Sequence, residues 1–122
     1  MASRFYFLGC DAKNAACHVP DLPHAETHAV LIPYALRYNM SAAPRATERI
    51  ARALGAVDAV TGLQELSRSI GAPHSLRDIG MQADHIEPAV GAALAQPYAN
   101  PAPITAAGIR HLLTQAWRGE AA

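Results

Sequence analysis

His24 and His28 are the residues of this chain whose types and spacing could do chemistry. They lie in Pro23-His24-Ala25-Glu26-Thr27-His28, and positions i and i+4 share one face of a helix. Imidazole is the commonest metal ligand and a frequent proton donor or acceptor near neutral pH. The pair could hold a metal or relay a proton from one face, with Glu26 turned away. The same spacing also suits two histidines that merely line a helix start, and a pair without a third ligand is weak evidence for metal. Pro23 suits the first helical turn. Free backbone N–H groups there disfavour an imidazolium, so the ring is expected to be neutral under either reading.

Around this motif the chain is sparse in other chemistry. Its 122 residues fit one domain, long enough to bury a core. Hydrophobic residues make up 51% but aromatics only 6%, so the core should be Leu, Ile and Val with close helix contacts at Ala. Lys plus Arg and Asp plus Glu number 10 each, for a formal net charge of zero. There is no basic stripe and no RNA-reading aromatic pattern, which argues against nucleic acid as partner. Cys10 and Cys17 are not spaced as a CxxC pair and no second ligand pair follows, so a disulfide is not indicated and zinc-ribbon or redox readings are weak. The apolar run before Cys10 is too short for a membrane span and lacks a signal-peptide layout. The expected setting is soluble and cytoplasmic.

The elements that must position the histidines read as helices. Residues 1–22 form an arm, with Arg4 to Leu8 as a short strand, and residues 23–122 form a helical domain. The first helix runs from Pro23 to about Asn39, with a kink or break near Ile32 because Pro33 lies inside it. Pro44 opens a second helix that Gly55 stops. Val57, Val60, Leu63, Leu66 and Ile70 recur at helical spacing and predict a third helix over about 56–70. A short turn at 75–79 precedes a fourth helix over about 82–96, with Ile86, Val90, Ala93 and Leu94 inward. Thr105 caps a last helix through Ile109, Leu112, Leu113 and Ala116, with Trp117 as an end-of-helix anchor. The fold class is all-α, a helical bundle. His74, His85 and His111 are expected to face solvent, as are Arg45, Arg49 and Arg52. Arg37, one turn beyond Pro33, could reach a substrate carboxylate. No glycine-rich nucleotide motif occurs.

Leu22 to Val30 and Ile32 to Asn39 resemble the signature of iron-containing alcohol dehydrogenases, and PHAETHA at 23–29 is similar to the version in maleylacetate reductases. The likeness continues through 49–55, Gly71-Ala72-Pro73, 75–81, Asn100-Pro101 and 109–113, covering about residues 17–119. The resemblance implies the all-helical C-terminal half of a two-domain enzyme that reduces maleylacetate to 3-oxoadipate with NADH or NADPH in the breakdown of aromatic compounds. It implies three catalytic residues. His24 belongs to the metal or substrate site, His18 lies near the nicotinamide, and His28 lines the same cleft. A divalent metal, iron or zinc, would polarise the substrate carbonyl there, and histidines would relay the proton.

The sequence also departs from that family. Its dinucleotide-binding domain has no counterpart in these residues, Asn14 stands where the family places a further histidine, and Val19 to Leu22 replace a longer loop. These 122 residues alone are therefore expected to bind no cofactor and to be inactive. They would be a truncated or separately encoded half that needs a nucleotide-binding partner. With the first helix's inner face uncovered, a homo-oligomer is expected too. The alternative is a non-catalytic helical interaction module, or a small zinc or redox protein using Cys10, Cys17, His18 and His24.

Overall fold

The structure, a computed structural model, describes residues 22–95 and 100–122. Five helices follow one another: α1 (His24–Asn39), α2 (Pro44–Leu54), α3 (Ala59–Ser69), α4 (Ile86–Ala95) and α5 (Ala106–Arg118), with one 3-10 turn, Ala83–His85, leading into α4. No strand occurs among the described residues. The expected strand at 4–8 lies outside them.

α1 is the central helix, with α5 on one side and α3 on the other. Its start carries no side-chain cap on Pro23. Instead Thr27, itself buried, donates from both its backbone N–H and its hydroxyl to the Pro23 carbonyl, at 3.0 and 2.7 Å. The helix runs through Pro33 rather than breaking near Ile32. An internal proline costs about 3 kcal/mol. Val30, Leu31, Tyr34, Ala35 and Leu36 are all buried around it, and their burial offsets that cost.

α2 starts at Pro44 and stops at Gly55, as its sequence predicts, but buries no residue fully. α3 begins three residues later than the stripe suggests, because Asp58 caps it: the carboxylate accepts from the Thr61 N–H at 2.8 Å and hydroxyl at 2.7 Å. Those two hydrogen bonds hold the Asp58 carboxyl below its usual pKa. Gly62 lets α3 approach the preceding loop, since a Cβ there would lie 2.7 Å from the Ala56 Cβ. Val57, Leu66 and Ile70, expected inward, are exposed. Neither α1 nor α2 covers them.

α4 is shorter than predicted because the 3-10 turn takes up its first residues. Gln82 donates its backbone N–H to His85 Nδ1 at 3.2 Å, so His85 is a half-buried cap and not solvent-facing. Leu94, expected inward, is also exposed. α5 is capped by Thr105, which accepts from the Gly108 N–H at 3.1 Å, and its stripe of Ile109, Leu112, Leu113 and Ala116 is fully buried. Trp117 anchors its end by donating to the Met81 carbonyl at 2.8 Å.

The main core joins α1, α4 and α5 around Val30, Leu31, Tyr34, Leu76, Ile109 and Leu113. A smaller cluster of Leu36, Ala59 and Val60 joins α1 to α3. Asn39 closes the far end of α1. It is buried, donates to the Ala35 carbonyl at 3.1 Å, and accepts from Asn100 Nδ2 at 2.8 Å and the Ala102 N–H at 3.1 Å. The Tyr34 hydroxyl donates to the Glu120 carbonyl and ties down the tail after α5. Burial, with a smaller contribution from Glu120, pushes the Tyr34 pKa up and keeps the phenol protonated as a donor.

Candidate functional site

α1 brings His24 and His28 to successive turns at its N-terminal end, about 6 Å apart along the axis. Glu26 between them is exposed, as expected. Thr27, which sequence reasoning did not single out, locks the first turn that carries both histidines. Its signal was a hydroxyl four residues after the proline, a spacing that permits bonding back to that carbonyl. His18 and Asn14 lie outside the described residues.

His28 is half-buried at the edge of an apolar cavity of about 180 Å³ between α1, α2 and α3. Leu31, Ala35 and Leu36 from α1, Ile50 from α2 and Leu63 from α3 line it, with Ile32 half-exposed at its rim. One flank of His28 is therefore apolar.

A structural or catalytic metal takes three or four protein ligands. No group of three or more His, Cys, Asp or Glu able to hold a metal occurs among the described residues. His24 and His28 are two donors at most, so the described part does not complete a metal site. Nor do these helices carry a glycine-rich loop before a helix to cradle a dinucleotide. Arg37 lies 37 − 24 = 13 residues along α1 from His24, about 20 Å at 1.5 Å per residue, so the two do not share a site. Arg45, Arg49 and Arg52 are exposed on α2, as expected. No described helix is long and apolar enough to cross a membrane.

Residues 14–117 match the C-terminal part of the Fe-containing alcohol dehydrogenase family. The chain belongs to that family. It is 48% identical over 99 residues to the maleylacetate reductase of Sphingobium indicum, covering 81% of this chain and 28% of that protein. A maleylacetate reductase of Rhodococcus opacus is 40% identical over 92% of this chain and 32% of its own length. The crystal structure of maleylacetate reductase from Agrobacterium tumefaciens superposes with a TM-score of 0.83 at 37% identity, over 97% of this chain and 32% of that one. This family member thus spans about a third of the length of the relatives it matches. The fold is that of their C-terminal helical domain, as its sequence predicts.

Proposed function

We propose that this chain forms the helical half of the active-site cleft of a maleylacetate reductase-like enzyme. In that reaction a hydride and a proton add across the carbon–carbon double bond conjugated to the substrate's ketone, and 3-oxoadipate results. The nicotinamide supplies the hydride when a nucleotide-binding domain holds it against this face. His24 and His28 act on the ketone side: they donate hydrogen bonds to its oxygen as enolate charge develops and return a proton as the charge collapses. His18 lies beside the nicotinamide in this reading, and His24 is the residue that would meet a metal. Thr27 holds the turn on which both α1 histidines stand. The half-exposed Ile32 next to His28 suits the face that meets the nucleotide-binding domain.

The reading rests on one observation. The histidine turn stands at the start of α1 in a chain 48% identical to a maleylacetate reductase over 81% of its length. These 122 residues contain no phosphate-binding loop, so they are inactive on their own. The test is a chimera in which residues 22–122 replace the matching third of a maleylacetate reductase. NADH oxidation with maleylacetate is expected to persist in the chimera and to be absent for the 122-residue chain. A folded chimera without turnover would overturn the proposal and leave a non-catalytic helical module.

A further inference from the structure

α1 begins differently from α3 and α5. Asp58 caps α3 and Thr105 caps α5 from the residue just before the helix, each accepting from a first-turn N–H. Pro23 holds that place in α1 and makes no side-chain cap. Its backbone is extended, at φ -66° and ψ 127°, so the chain changes course at the Pro23–His24 peptide. Pro23, Ala25 and Glu26 are exposed, so their side chains do not pack that turn in place. Thr27 is 3% exposed. Its N–H and its hydroxyl both donate to the Pro23 carbonyl, at 3.0 and 2.7 Å.

The two bonds differ in kind. The N–H bond is the ordinary helical one, and every residue except proline supplies it. The hydroxyl bond needs Thr or Ser at this position. It comes from a buried side chain that cannot swing away, and it ends on the one carbonyl that joins extended chain to helix. A peptide is planar, so gripping its oxygen also sets the direction in which it delivers the next Cα. That Cα belongs to His24.

We propose that Thr27 is a positioning residue for the reaction proposed above, on which this inference rests: its hydroxyl fixes the Pro23–His24 peptide and so the backbone from which His24 acts. Thr27 acts through that peptide and not on the substrate, so its loss should lower kcat and leave KM unchanged. Misplacing a reacting group by a fraction of an ångström costs about tenfold in rate.

The experiment compares Thr27→Val, which keeps the shape and drops the hydroxyl, with Thr27→Ser, which keeps the hydroxyl. In the full 122-residue chain, amide hydrogen exchange at Thr27 and His28 should quicken about fivefold or more with Val, while Ile109 and Leu112 in α5 keep their protection. Ser should restore slow exchange. In the chimeric reductase, Val should lower kcat about tenfold at unchanged KM, and Ser should recover it to within about threefold. Thr27→Ala repeats the loss of the hydroxyl should valine disturb the packing. A merely structural role would lower the melting temperature without this split between kcat and KM and without rescue by Ser. The His24→Ala chimera separates the two ideas. Turnover kept without His24 would overturn the reading of the site. Turnover lost without His24 but kept with Val and Ala, or a Ser variant no better than Val, would overturn the role of Thr27 alone.

Discussion

The two sides of α1 differ in how much they cover. On one side α4 and α5 build the main core, where Ile109 and Ala116 are 0% exposed. On the other side α2 and α3 cover little: α2 buries no residue, and Val57, Leu66 and Ile70 stand at 105%, 46% and 71% exposure. α3 and α5 both carry apolar residues at helical spacing, yet one stripe is sealed and the other partly open. An amphipathic pattern reports which face seeks burial. It does not report whether the chain supplies enough surface to cover it.

The largest expected effect separates the two sides directly. Ile109→Ala should cost about 3 kcal/mol, because its cavity cannot collapse between α1, α4 and α5. Leu66→Ala should stay within about 0.5 kcal/mol. Urea unfolding of both variants measures the contrast, and equal losses would show that the outer stripe of α3 is covered in solution.

Asn39→Ala comes next, at about 2 kcal/mol, because it leaves the Asn100 side chain and the Ala102 N–H without their shared acceptor. The loss should appear in the same unfolding curves. A value near zero would mean that water replaces the amide.

Asp58→Ala should cost about 1 kcal/mol as a lost N-cap. Its carboxyl is held below the ordinary value in the folded state. Its contribution is therefore fully present above the unfolded pKa of about 4 and is lost as pH falls through the lower folded value. Melting temperatures of wild type and Asp58→Ala should differ at pH 7 and converge in acid. The smallest effect belongs to Ile70→Ser, within about 0.5 kcal/mol, since that side chain is largely in water already.

Much of the bundle was legible in the residues themselves. Pro44, Gly55 and Thr105 bound their helices where their chemistry predicts. The break that Pro33 suggests does not form because its cost is local, while the burial that outweighs it comes from helices distant in sequence. Asp58 was missed because the apolar stripe begins before it, at Val57, which the cap leaves outside the helix. Leu94 misled for the same reason as Leu66: period shows a face, not its cover. At the candidate site the His24 and His28 spacing was legible.

The measurement that bears most directly on the proposed function is turnover of the chimeric reductase carrying His24→Ala. The account predicts a loss in kcat of about 100-fold or more at an unchanged melting temperature, as for removal of an acid–base or oxyanion-stabilising group. His85→Ala, which removes the cap of the 3-10 turn ahead of α4, should leave kcat within about threefold of the unsubstituted chimera. Equal turnover in the His24 and His85 variants would contradict the assignment of chemistry to the start of α1.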